Sequence, residues 1–226
     1  MCGIAGIYSL GHKQVSFEII RRMLERIYHR GPDESGIYVN DTIGLGSVRL
    51  SIVDLLTGQQ PISTPDKNYW IVHNGEIYNH PELRKALVNK GVTFSTKSDT
   101  EVILRYYEMY GEKCLDYFNG QFAFAIWDKS KKELFIARDR FGIRPLFYTQ
   151  QDNHFIFASE IKSILEYPGI KTDLDAEALL QVFTFWSTLS PATVFKNIFE
   201  LPPAHYLKIR NQKIEIKRYW DLQFPE

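Results

Sequence analysis

The strongest constraint on the fold is a series of short apolar segments whose connections are too short for a helical crossover. The clearest case is FAFAIWD followed by ELFIARD, with only the polar stretch KSKK between them. Two strands joined so closely must pair antiparallel, because a parallel pair needs a crossover of a dozen residues or more. CGIAGIY, IGLGSVRLSIVDL, YWIVHNG, PLFYT and HFIFAS also predict strands. We therefore expect largely antiparallel sheets.

Helices are predicted between groups of these strands. Apolar residues at helical spacing predict a helix over residues 16–28. Ser98 and Glu101 form a capping box that opens another helix. Its inward-facing residues are expected to be Val102, Ile103, Tyr106 and Met109. EIKSILEY and LDAEALLQVF predict two more helices, so the pattern indicates an α+β layered domain.

The character of the chain changes after LDAEALLQVF. The stretch TFWSTLSPATVFKNIFELPPAHYLKI is rich in proline and aromatic residues and has no clear periodicity. We expect a core over residues 2–190 and a C-terminal extension, or connector, over residues 191–226.

Composition excludes several classes of function. The 27 basic and 27 acidic residues cancel, so nothing favours binding to nucleic acid or to an anionic membrane. The apolar runs are too short to span a bilayer, and no signal peptide is expected. Two cysteines make no disulfide framework, which indicates a reducing, cytoplasmic setting. The six histidines lack the spacing of a metal site, so no metal is expected.

Cys2 stands directly after the initiator methionine, and this position has two interpretations. In one, Cys2 is a small hydrophobic residue on a buried strand. In the other, removal of Met1 leaves Cys2 with both a thiol and a free α-amine. That amine titrates at about 7.7 to 8.0, so it can accept the thiol proton near neutral pH. A retained Met1 would block it.

A second group of polar residues suits the recognition of an amino acid amide. In HNGE, the Asn74 amide and the Gly75 N–H could stabilise an oxyanion, although Asn-Gly is also a common β-turn. Arg49 lies in an apolar segment and could grip a carboxylate. Asp99 could hold an ammonium group or simply satisfy the first turn of its helix. Glu76 could assist it or be a surface charge.

These residues stand in an order that resembles a known family. The chain is similar to the glutaminase half of glutamine-dependent asparagine synthetases, which are class II glutamine amidotransferases of the N-terminal-nucleophile hydrolase superfamily. RLSIVD distinguishes it from the sister glutaminases of purine and hexosamine synthesis. The resemblance covers nearly the whole chain and implies a four-layer αββα sandwich. It is carried by MCGIAGIY, HRGPDESG, RLSIVDLLTGQQP, HNGEIYNH, SDTEVIL, FNGQFAFAIWD, ARDRFGIRPLFY, FASEIKSIL, LPPAHYLKI and RYWDL.

The resemblance implies a role for each matching residue. Cys2 corresponds to the nucleophile, with its α-amine as the base, and Asn74 and Gly75 correspond to the oxyanion donors. Arg49 matches the carboxylate anchor, while Asp99, helped by Glu76, matches the group that holds the substrate amine. The segment expected to line the substrate pocket comprises Leu50, Ser51, Ile52 and Val53.

The implied reaction is hydrolysis of the side-chain amide of L-glutamine through a γ-glutamyl thioester. The ammonia would serve an ATP-dependent synthetase domain that amidates aspartate, and no SGGxDS loop of such a domain occurs in this chain. No cofactor is expected here, because ATP and Mg belong to the synthetase domain. Expected partners are that domain, in the same chain or separate, and a second copy in a homodimer. Alternatives are another carboxylate acceptor, a silent glutamine-binding module, or an enzyme acting on another amide.

Overall fold

Twelve β-strands and five α-helices form the regular structure of the computed structural model, which describes residues 1–11 and 13–224. The strands are β1 (Gly3–Ser9), β2 (Glu34–Val39), β3 (Ile43–Arg49), β4 (Ile62–Ser63), β5 (Tyr69–Ile77), β6 (Gly120–Asp128), β7 (Glu133–Arg138), β8 (Phe147–Gln151), β9 (His154–Ala158), β10 (Phe199–Glu200), β11 (His205–Arg210) and β12 (Lys213–Arg218). The helices are α1 (Phe17–Glu25), α2 (His80–Val88), α3 (Asp99–Tyr110), α4 (Ile161–Ile164) and α5 (Ala176–Phe185). None of these helices is long and apolar enough to cross a membrane.

The strands form two six-stranded sheets. The first has the order β10-β8-β9-β1-β3-β2, and the second has the order β12-β11-β7-β6-β5-β4. Every paired strand in both sheets is antiparallel, as the short connections predict. β6 and β7 form the predicted hairpin, with Trp127 opposite Leu134.

Strand alternation sorts the apolar residues into layers. In β6, Phe122 and Phe124 pack with α3, whereas Ala123 and Trp127 face the first sheet. A third apolar cluster fills the space between the first sheet and helices α1 and α4. Each fully buried large apolar side chain contributes about 1.5–3 kcal/mol, so these layers supply the main driving force for folding. The order is helices, sheet, sheet, helices, which confirms the expected αββα sandwich.

Several element boundaries differ from the prediction. β2 was not expected, because its half-buried residues lack a clear alternation. The strand predicted over IGLGSVRLSIVDL ends at Arg49, where the chain turns into a loop. Met109 is 41% exposed instead of facing inward. Its neighbours Val102 and Ile103 are buried as predicted.

The C-terminal part of the chain is more regular than its sequence indicates. β11 pairs with β7 and β12 with β11, so residues 205–218 extend the second sheet. Tyr206 and Leu207 supply apolar side chains to opposite faces of that sheet. The division at residue 190 stays a prediction, and residues 225–226 of the expected extension lie outside the described residues.

Candidate active site

The register of the first sheet places Cys2 beside Arg49. Gly3 pairs with Val48 at the end of the β1–β3 ladder, so the next residues outward are Cys2 and Arg49. A pocket opens there. Most of the predicted site residues line it, namely Cys2, Arg49, Leu50, Ile52, Val53, Gly75, Glu76 and Asp99. Cys2, just before β1, therefore meets residues of β3, β5 and α3 that are far apart in the sequence.

Cys2 is half-buried at the edge of this pocket. Its Sγ atom lies 3.6 Å from the carbonyl oxygen of Leu50, and its own carbonyl accepts a hydrogen bond of 2.9 Å from Nε of Arg30. Burial raises the pKa of the Cys2 thiol, although the positive charge of Arg49 opposes this shift. The thiol is therefore protonated at neutral pH, and a base is needed to produce the nucleophilic thiolate. Met1 also lines the pocket and is 57% exposed.

Asn74 and Gly75 lie inside a strand, which excludes the β-turn interpretation. In β5 they pair with Ala123 and Phe122 of β6. The Asn74 side chain is fully buried, and neither Nδ2 nor Oδ1 has a hydrogen-bond partner among the described residues. Leaving such a group unpaired costs about 1–3 kcal/mol. Both polar atoms of the Asn74 amide are therefore available to a bound ligand.

The free edge of β5 presents the N–H of Gly75 to the pocket. The N–H of His73 donates to Oε1 of Gln60 at 2.6 Å, and the N–H of Ile77 donates to Oδ2 of Asp99 at 3.0 Å. Alternate residues of an antiparallel strand direct their N–H groups to the same edge. The Gly75 N–H therefore points to this edge, between two N–H groups that side chains already satisfy.

Replacing Gly75 with Ala tests whether glycine is required on this strand. Gly75 has a φ of +149°, and a Cβ atom would lie 2.1 Å from the carbonyl oxygen of Gln121. We expect Gly75→Ala to lower the free energy of unfolding, measured with urea, by roughly 2–4 kcal/mol. The control is Gly91→Ala, because Gly91 also has a positive φ but nothing lies near its Cβ position. Equal losses in the two variants would contradict this steric argument.

Asp99 satisfies the first turn of its helix and also lines the pocket. Its Oδ1 atom accepts the N–H of Thr100 at 2.9 Å, so it does satisfy the first turn of α3. It is also buried and lines the pocket. Ser98 caps the helix as predicted, by accepting the same N–H at 3.1 Å. Glu101 does not complete the capping box, because its carboxylate accepts from the N–H groups of Ser95 and Thr96 instead.

Arg49 organises the loop that follows β3. Its Nη1 atom pairs with Oε2 of Glu34 at 2.7 Å, and its Nη2 atom donates to the carbonyls of Val53 and Asp54 at 2.8 and 2.7 Å. These bonds fold the loop back over the guanidinium, which explains why the strand ends at Arg49. A guanidinium has five N–H donors, so these three bonds leave donors for a ligand.

Two predicted site residues, Ser51 and Asn74, are not part of the pocket lining, although both neighbours of Asn74 are, and several lining residues were not predicted. Ser51 lies in the loop after β3, where its N–H donates to Oδ2 of Asp33 at 2.8 Å. The lining residues that were missed are Gln60, His73, Ser98, Thr100 and Arg144. Gln60 stands in GQQP and Arg144 in GIRP, so a glycine and a proline close to a polar residue could have marked both.

Comparisons with known proteins identify the family to which this chain is similar. A family described as a glutamine amidotransferase domain matches residues 1–220. The chain is 40% identical over 227 residues to asparagine synthetase (glutamine-hydrolyzing) 3 of Bacillus subtilis, covering 99% of this chain and 37% of that protein. It is 36% identical to amidase chry2 of Gibberella zeae, covering 100% of this chain and 35% of that protein. The chain thus spans little more than a third of the length of these relatives.

The fold is also found among solved structures. Glutamine phosphoribosylpyrophosphate amidotransferase of B. subtilis superposes with a TM-score of 0.70 and 21% identity, covering 97% of this chain and 49% of that one. At this identity the likeness concerns the fold alone. The family match over nearly the entire chain carries the assignment: this chain belongs to the class II glutamine amidotransferases, a family of enzymes.

Proposed function

We propose that this chain hydrolyses the side-chain amide of L-glutamine to glutamate and ammonia, with Cys2 as the nucleophile. The observation that carries the proposal is the unpartnered amide of Asn74, buried in β5 beside the pocket that Cys2 lines. Strand alternation supports this placement. The even-numbered residues Ile4 of β1 and Val72 of β5 face the layer between the sheets, so Cys2 and Asn74 face it as well.

The first half of the reaction forms a thioester. After Met1 is removed, the neutral α-amine of Cys2 takes the thiol proton, and Sγ attacks the side-chain carbonyl carbon of glutamine. The oxygen becomes negative and accepts hydrogen bonds from Nδ2 of Asn74 and the N–H of Gly75. The protonated amine then gives its proton to the leaving nitrogen, the C–N bond breaks, and ammonia departs. A γ-glutamyl thioester remains.

The second half hydrolyses this thioester. The same amine, now neutral, accepts a proton from a water molecule as that water attacks the thioester carbonyl carbon. The two oxyanion donors stabilise the second tetrahedral intermediate. The C–S bond breaks, the sulfur recovers the proton from the amine, and glutamate is released. No step requires a metal or a cofactor in this chain.

Two opposite charges in the pocket suit a free amino acid. Arg49 offers donors for the α-carboxylate, and Asp99, with Glu76, offers negative charge for the α-ammonium group. The backbone around Ile52 and Val53 would line the space between them. An N-acyl amide has no ammonium group to pair with the negative charge of the buried Asp99, which disfavours the alternative superfamily substrate.

Arg49→Lys tests the carboxylate anchor. Lysine keeps the charge but cannot make paired bonds to a carboxylate, so we expect the KM for glutamine to rise roughly 10- to 100-fold with little change in kcat. The control is Arg138→Lys, because Arg138 is also buried and donates to the carbonyls of Gly142 and Leu201. That variant should be less stable with an unchanged KM. An unchanged KM in Arg49→Lys would move the carboxylate anchor elsewhere.

The ammonia is proposed to serve an ATP-dependent synthetase module that amidates aspartate, with ATP and Mg used only there. The exposed apolar side chains of helix α5 are evidence for a docked module. Ala178 is the one buried residue of this helix, whereas Phe183 is 80% exposed and the adjoining Trp186 is 94% exposed. A helix with apolar residues all round is normally buried. The free thiols Cys2 and Cys114 fit a cytoplasmic setting. A homodimer, expected from the resemblance, stays a prediction.

Ammonia release from glutamine, asparagine and an N-acyl amide, assayed side by side, tests this function. We expect rapid release from glutamine and little from the other two. Preference for the N-acyl amide would favour another hydrolase reaction. Binding of glutamine without release of ammonia would identify a silent glutamine-binding module. A different carboxylate acceptor would leave this assay unchanged, because the acceptor is chosen by the synthetase module.

A further inference from the structure

Three buried polar side chains form a network that the reaction above does not use. They are Gln60 in the loop before β4, His73 in β5 and Thr100 in the first turn of α3, and all three line the pocket. Oε1 of Gln60 accepts the N–H of His73 at 2.6 Å, and Nε2 of Gln60 lies 3.4 Å from Oγ1 of Thr100. Nδ1 of His73 lies 3.1 Å from the same hydroxyl oxygen.

One arrangement of donors and acceptors in this network gives the Thr100 hydroxyl proton a partner. A backbone N–H can only donate, so the oxygen of the Gln60 amide faces His73 and its NH2 group faces Thr100. The Thr100 hydroxyl accepts from that NH2 group and has one proton to donate, which goes to Nδ1 of His73. This arrangement places the ring proton of His73 on Nε2, which is buried and has no partner among the described residues.

Each member of the network adjoins a group that binds substrate in the proposed reaction. His73 precedes Asn74 and Gly75 on β5, and Thr100 follows Asp99 on α3. Gln60 stands opposite His73, where β4 would continue, and its side-chain amide accepts the N–H of His73 there. The amide of Gln60 thus joins the strand of the oxyanion donors to the helix of the ammonium anchor.

We propose that Gln60, His73 and Thr100 are positioning residues that fix the Asp99 carboxylate relative to the Gly75 N–H, and so select substrates with an α-ammonium group. The inference rests on the proposed glutaminase function. A carboxylate displaced from the oxyanion donors by a fraction of an ångström could not meet the ammonium group while the amide carbon remains at Cys2. Burial lowers the pKa of His73, Arg144 acts in the same direction and Asp99 opposes them, so the ring is neutral at pH 7.

Thr100→Val, which removes the hydroxyl and keeps the shape, tests this role. The readout is the ratio of kcat/KM for glutamine to kcat/KM for glutaramate, which has the same amide and carboxylate but no α-ammonium group. We expect the ratio to fall about tenfold in Thr100→Val and to recover in Thr100→Ser. In the control Thr149→Val, a buried hydroxyl that donates to the carbonyl of Asn197 is lost, and the ratio should not change. A purely structural defect would lower both activities equally.

A measurement without substrate separates this inference from the proposed function. Nitrogen-15 NMR of the wild-type chain reports which ring nitrogen of His73 carries the proton, and we expect Nε2. A folded Thr100→Val protein with the wild-type ratio, or a wild-type His73 protonated on Nδ1, would overturn the network. A wild-type chain that does not hydrolyse glutamine would overturn the proposed function, and the NMR result would still decide the network. If Thr100→Val does not fold, the inference is decided by the ratio measured for Thr100→Ser and by which ring nitrogen of wild-type His73 carries the proton.

Discussion

Replacing Cys2 with Ala is expected to lower the rate of glutamine hydrolysis at least about a thousandfold, because no other group can form the thioester. The fold should persist. The Cys2 side chain is half-buried, and its one hydrogen bond within the described residues is a long contact of 3.6 Å to the Leu50 carbonyl. Ammonia release and the urea unfolding curve of Cys2→Ala measure the two effects separately. Residual activity above a tenth of the wild-type rate would refute the nucleophile.

The second cysteine provides a matched control for this prediction. Cys114 is fully buried in the apolar cluster between α3 and the second sheet, and burial holds its pKa well above the usual range. Cys114→Ser should lower stability, because it places a hydroxyl in an apolar site, but turnover by the folded fraction should not change. A loss of turnover in Cys114→Ser equal to that in Cys2→Ala would remove the distinction between the two thiols.

A chain that retains Met1 is expected to be as inactive as the Cys2→Ala variant. The nitrogen of Cys2 is then a peptide nitrogen and cannot accept a proton, while burial keeps the thiol protonated. In the trimmed chain, an amine with a pKa of about 7.7 to 8.0 is neutral in about a tenth to a sixth of molecules at pH 7. Its rate should therefore rise with pH through that range and then level off. A pH–rate profile of each form, measured with glutamine, checks both expectations.

The sequence predicts the layers of the fold better than its edges. FAFAIWD and ELFIARD are apolar and have a short polar connection, so the sequence predicts both β6 and β7 and their antiparallel pairing. The side chains of the edge strands β2 and β12 are half-buried or exposed, so no apolar alternation in the sequence distinguishes these strands from loops. Met109 has the right spacing to face inward but lies in the last turn of α3 and is 41% exposed. Tertiary context decides such positions.

The sequence predicts a site residue best where its residue type is unusual at that position. Cys2 at the second position and Arg49 in an apolar strand are unusual, and both line the pocket. Asn-Gly is typical of a β-turn, so the dipeptide alone does not predict that Asn74 and Gly75 lie within β5. Nor does it predict that β4 pairs with β5 only as far as Ile71, which leaves the edge of β5 open beyond that residue. Gln60 and Thr100 are common polar residues whose meeting depends on the packing of α3 against β5.

The measurement that tests the account most directly compares ammonia release with N-terminal processing in the same samples. Intact mass spectrometry gives the fraction of chains that lack Met1 in preparations processed to different extents. We expect the rate of glutamine hydrolysis to be proportional to this fraction and to extrapolate to zero when every chain retains Met1. A preparation in which all chains retain Met1 and hydrolyse glutamine at the trimmed rate would contradict a mechanism in which the α-amine of Cys2 carries the proton.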